Sequence, residues 1–168
     1  MDESRTGRLV RLPTAQAPAA RISAPRLLGY GLRVAAAAGL GVDAFVHATS
    51  AGLYDGPGGG FITEGSLFRA EAAVSVLLAA LLLIRPARLT WVAVLAVAGT
   101  ALGAVILYRY IDVGAIGPVP DLYEPTWRVP GKLASASAEA AVLVLSALAL
   151  SGGRVASAAI TRVLGKAG

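Results

Sequence analysis

The chain has 168 residues, 56% of them apolar and only 15% charged, with a mean hydropathy of +0.69. Soluble domains run at roughly 45–50% apolar and about 25% charged, so a disordered chain and a soluble globular domain are both excluded and a membrane protein is expected. No cysteine and a single histidine exclude disulfides, thiolate metal sites, a cysteine nucleophile, bis-histidine haem ligation and an all-histidine metal cage within one subunit.

The net charge of +5 does not mark a nucleic-acid surface, and no nucleic-acid partner is expected. Thirteen Arg and two Lys gather in short segments between long apolar runs, where such charges set the orientation of membrane helices. Residues 1–25 are polar, broken by Pro13, Pro18 and Pro25 and rich in arginine. They lack a compact apolar stretch with a small-residue cleavage site and read as a disordered cytoplasmic tail, not a signal peptide.

Four apolar segments follow, predicted as helices over about 27–52, 67–84, 89–111 and 131–152 within a membrane domain spanning 26–152. Each is long enough to cross a hydrocarbon core of about 30 Å. Helices are required because lipid offers backbone N–H and C=O groups no partner. Residues 153–168 read as a cytoplasmic C-terminal tail. The fold class is therefore all-α: a polytopic membrane protein built as an antiparallel four-transmembrane-helix bundle.

Charge fixes the orientation. The N-terminal arginines, the Arg85-Pro86-Ala87-Arg88 turn and Arg154, Arg162 and Lys166 put most basic residues on one side. The loops at about 53–66 and 112–130 carry Asp55, Glu64, Asp112, Asp121 and Glu124 against Arg128. By the positive-inside rule both termini are cytoplasmic and these two loops face outward. Tyr54, Tyr108, Tyr110, Tyr123 and Trp127 are expected at the outer interface, with Tyr30 and Trp91 at the inner one. Gly56-Pro57-Gly58-Gly59-Gly60 has no strand before it and reads as a flexible turn, not a phosphate cradle.

Ionisable groups inside the membrane need a partner or a purpose. Asp43 and His47 share a helix face at four-residue spacing, Glu71 stands near Ser75, and Lys132, Ser135, Glu139, Val142 and Ser146 form a largely polar stripe. Arg109 closes the third helix between Tyr108 and Tyr110. At about 1.5 Å per residue, Asp43, Glu71 and Glu139 lie roughly 8–14 Å below their outer helix ends. The expected geometry is a polar cup open to the outside and sealed on the cytoplasmic side, with the 112–130 loop as its lid. Its ligand-binding candidates are Asp43, His47, Glu71, Tyr108, Arg109 and Glu139; no catalytic residue is assigned.

Two readings of these charges stay open. Asp43, Glu71 and Glu139 can neutralise Arg69, Arg109 and Lys132 and fix helix register. Alternatively they bind a small molecule or ion, in which case the cavity touches at least three of Asp43, His47, Glu71, Arg109 and Glu139. Asp43, His47, Glu71 and Glu139 would make an N/O ligand set suited to zinc, manganese or iron, and the same groups suit proton exchange.

Two further patterns concern assembly. Gly99 and Gly103 form a GxxxG that serves either packing within the bundle or homodimerisation. Ala70-Glu71-Ala72-Ala73-Val74 recurs as Ala138-Glu139-Ala140-Ala141-Val142, which fits either two tandem hairpins or chance in an alanine-rich chain.

The segments Gly41–His47, Gly65–Glu71, Leu107–Gly114 and Tyr123–Trp127 resemble those of small uncharacterised four-helix integral membrane proteins of high-GC Gram-positive bacteria. In length and helix count the chain is also similar to the DoxX-like family, some of whose members are linked to membrane redox complexes and quinones. The first resemblance implies a bacterial inner-membrane protein. The second implies a redox- or quinone-linked role, as an alternative to ligand binding without catalysis or to a structural subunit of a membrane complex.

Overall fold

A computed structural model describes residues 24–56 and 62–164. Four helices carry the architecture: α1 (Ala24–Ser50), α2 (Glu64–Ile84), α3 (Arg88–Tyr110) and α4 (Lys132–Leu164), with a short 3-10 turn, Ala51–Tyr54, continuing α1. All four are long and apolar enough to span a bilayer, as four long, mainly apolar runs require. The chain is an all-α, multi-pass membrane protein in contact with the lipid bilayer.

Helix ends depart from the sequence reading where local chemistry intervenes. The second helix begins at Glu64, three residues before the expected start, because Thr63 and Ser66 cap it reciprocally: the Ser66 N–H donates to Thr63 Oγ1 at 3.0 Å and the Thr63 N–H to Ser66 Oγ at 3.1 Å. Capping of this kind satisfies helix-terminal N–H groups that have no intrahelical partner. The fourth candidate membrane span, Lys132–Gly152, ends where the apolar segment was expected to end, but the helix itself runs on to Leu164, because the Gly152-Gly153 pair does not stop it. The 1–25 tail lies outside the described residues except for Ala24 and Pro25, which open α1, and so does most of the Gly56–Gly60 turn.

Helix α1 packs broadly on both α2 and α4, and α3 on α4, whereas α2 and α3 touch only slightly; α1–α3 and α2–α4 are the diagonals. The end of the bundle bearing the Arg85–Arg88 turn is closed by Ala36, Leu40, Leu78, Leu82, Trp91, Val94, Ala98 and Val142. Trp91, expected at the membrane interface, is turned into this core, where its large apolar surface fills the space between helices. Gly99 abuts Leu143 of α4 while Gly103 meets nothing, so the GxxxG is used for internal packing at one glycine only.

At the opposite end the 112–130 segment folds back over the bundle through short local turns. Ile116 and Val119 exchange backbone hydrogen bonds of 3.1 and 3.0 Å around Gly117-Pro118. The side chains of Asp112, Asp121 and Thr126 each accept from a backbone N–H two residues ahead, the turn chemistry typical of these residues. The Glu124 N–H donates to the Tyr108 carbonyl at 3.1 Å, tying the segment to the end of α3. Gly131 re-enters α4 at φ +83°, with space for a Cβ blocked by Val46, so only glycine fits both the left-handed backbone and the close approach.

Candidate site: a carboxylate–histidine cluster under a cavity

Asp43 lies at the centre, 2% exposed, and α1, α2 and α4 each supply it with a donor. Ser75 donates to its Oδ2 at 2.8 Å and Ser135 to its Oδ1 at 2.6 Å. One helical turn on, His47 Nδ1 stands 3.0 Å from Oδ1 and 3.1 Å from the Asp43 carbonyl oxygen. Ser135 also lies 3.1 Å from Glu139 Oε1, one turn along α4. Glu139 is 2% exposed, and its Oε2 has no hydrogen-bond partner.

A cavity of about 270 Å³ opens beside this cluster, in the gap between α2 and α3. All four helices and the 112–130 segment contribute to its wall. Val46, Leu67, Ala101, Ala104, Val105 and Leu122 make it largely apolar, and Tyr54, Phe68 and Tyr108 make it aromatic. The rings interlock: Phe68 meets His47 edge-on at 5.0 Å and Tyr54 at 4.9 Å. Polar groups on the wall include His47, Glu64, Glu71, Glu124, Lys132 and Ser135. Glu71 Oε1 is buried without a partner.

Of the six ligand-binding candidates, His47, Glu71 and Tyr108 line the cavity. Asp43 and Glu139 do not; they are buried next to it and meet it through Ser135 and His47. Arg109 is off the wall, stacked over Tyr110 at 5.0 Å with its Nε buried and unpartnered. The cavity therefore touches two of the five side chains expected around the cup, not three, because the serines draw the acids into the helix interfaces.

Mutual neutralisation by Arg69, Arg109 and Lys132 is not what the fold does. Among the described residues, the ion pairs are His47–Asp43 and Arg69–Asp55. Arg69 makes a two-pronged contact with Asp55 beyond the end of α1. The guanidinium hydrogen bond holds the Asp55 carboxyl below the usual carboxylate range, outweighing the opposing effect of desolvation. Lys132 Nζ donates to the Glu124 carbonyl at 2.8 Å and sits over the Trp127 ring at 5.7 Å.

Sequence reasoning passed over Phe68, Glu64, Glu124 and the serine donors as site residues. Ser135, four residues before Glu139 on the same helix face, carried a usable signal. Phe68 carried none, since its role comes from tertiary packing against α1. Compared with protein-family models, curated proteins and solved structures, the chain matches none.

Proposed function

We propose that this membrane protein binds a small, mainly apolar molecule bearing one positive charge, without transforming it. One observation carries the reading: the apolar, aromatic wall carries three carboxylates, Glu64, Glu71 and Glu124, and one ammonium, Lys132, itself engaged with a carbonyl and an indole ring. Glu71 adds a buried oxygen with no partner. Aromatic faces attract organic cations, by about 2 kcal/mol or more once desolvated, and a nearby carboxylate adds charge attraction that water would otherwise screen. An anion meets the opposite balance.

The positive-inside distribution of the basic segments supports cytoplasmic termini and an outward cavity; on that reading the ligand comes from the outer face of a bacterial inner membrane. Kinship with small four-helix membrane proteins of high-GC Gram-positive bacteria is part of the same proposal.

Benzyltrimethylammonium and its uncharged carbon isostere neopentylbenzene separate charge recognition from simple burial. Calorimetry on the purified chain in detergent is expected to show the cation binding and the isostere binding at least about tenfold more weakly, a difference of about 1.4 kcal/mol. Glu71→Gln is expected to erase most of that difference. Equal binding of the two, or binding of neither, overturns the reading.

A further inference from the structure

The Asp43–His47–Glu139 cluster has a shortage of donors that the cavity does not account for. Asp43 is well served, by two hydroxyls and an imidazole. Glu139 is not. Ser135 has one hydroxyl proton and two carboxylates within reach, at 2.6 and 3.1 Å, so the contact to Glu139 goes unserved whenever Asp43 takes the proton. Glu139 Oε2 has no partner at all in a residue 98% shielded. A buried acceptor left in this way is costly, more so when charged, and this oxygen is itself shut off from solvent.

The donors that converge there are those a metal ion takes. Asp43, His47 and Glu139 each present one ligand atom, and these atoms lie within 4.8 Å of one another. Two carboxylates balance the charge of a divalent ion, which matters in a low dielectric. The imidazole favours zinc or manganese over magnesium and calcium, which prefer all-oxygen shells. Ser75, bonded to the second oxygen of Asp43, is the kind of outer partner that orients a ligating carboxylate. His47 and Ser135 line the cavity as well, which gives an ion a route inward.

We propose that Asp43, His47 and Glu139 bind a divalent transition-metal ion at the boundary between the cavity and the bundle core. The proposal is independent of what the cavity itself takes up.

The test uses the full chain in detergent, stripped with chelator and titrated with Zn²⁺, Mn²⁺ or Mg²⁺. Bound metal is measured by mass spectrometry after gel filtration, alongside the melting temperature. Wild type is expected to retain about one Zn²⁺ or Mn²⁺ per chain and to melt higher with the ion present, by linkage of binding to folding. Glu139→Gln is expected to weaken uptake at least about tenfold and to abolish the melting shift, while Asp121→Asn, on the exposed loop, leaves both unchanged. Should Glu139→Gln fail to fold by circular dichroism, His47→Gln on the cavity side is the deciding variant. Retention of neither transition metal by wild type, as when a shared proton serves the two carboxylates instead, overturns the proposal. So does uptake by the folded variant equal to that of wild type, or equal uptake of Mg²⁺.

Discussion

Ser75, Ser135 and Ser146 share a residue type and near-complete burial, yet they have opposite energetic roles. Ser75 and Ser135 donate to a buried carboxylate; Ser146 Oγ has no partner. Deleting a donor to a buried charge exposes that charge's desolvation penalty, about 1–3 kcal/mol, whereas deleting an unpaired hydroxyl removes a cost. Ser75→Ala is therefore expected to lower the melting temperature and Ser146→Ala to leave it unchanged or raise it, both read by thermal denaturation in detergent. The Asp43–His47 contact was legible as a four-residue step on one helix. The Ser135 contact was not, because it joins residues far apart in the chain, and no periodicity reports which helix lies alongside. The expected counter-ions failed for the same reason: hydroxyls from neighbouring helices reached the acids, and Arg69 found Asp55 nearer its own end of α2.

At the scale of elements, the junction between α1 and α2 depends on that Arg69–Asp55 contact. The 3-10 turn runs so close to the start of α2 that a Cβ on Gly65 would overlap Asp55 Oδ1 and the Ala51 carbonyl oxygen. Proximity brings Asp55 within reach of a two-pronged guanidinium bond. Because the folded-state carboxyl is held below its ordinary range, the contribution is present at neutral pH and is lost as pH falls through the lowered value. Asp55→Asn is expected to melt below wild type at neutral pH, with the gap closing once the pH drops under the ordinary aspartate value of about 3.9. Melting curves across that range check it. A gap that persists in acid would assign the effect to packing. Helix existence was legible throughout, since apolar runs leave no alternative in lipid. The ends were not, because capping by Thr63 and Ser66 and continuation past Gly152 depend on local geometry that hydropathy does not encode. The repeated Ala-Glu-Ala-Ala-Val segments fall on the diagonal helices α2 and α4, but the two hairpins are joined unequally: α1 and α4 are closely packed where α2 and α3 stand apart.

That inequality shapes the whole molecule. One end, between the Arg85–Arg88 turn and the middle of the bundle, is closed by an apolar core; the other opens at the α2–α3 gap under a folded-back segment. Any directional role depends on which end faces the cytoplasm, and the positive-inside rule makes a testable expectation of it: the Arg85–Arg88 turn lies at the closed end and the acidic loops at the open one. Tyr54 and Tyr108, expected to mark the outer interface, point into the cavity instead, so orientation rests on charge more than on an aromatic belt. The absence of cysteine makes the test direct, since a single introduced thiol is the only one to label. Asp121→Cys, on the exposed 112–130 segment, is expected to react with a membrane-impermeant maleimide in intact cells. Ala87→Cys, in the short basic turn, is expected to react only after permeabilisation. The reverse pattern would turn the cavity toward the cytoplasm, leaving its chemistry intact but changing the compartment from which the proposed ligand would come. Labelling of both sites in intact cells would mean that the chain inserts in two orientations, which the one-sided placement of its arginines disfavours.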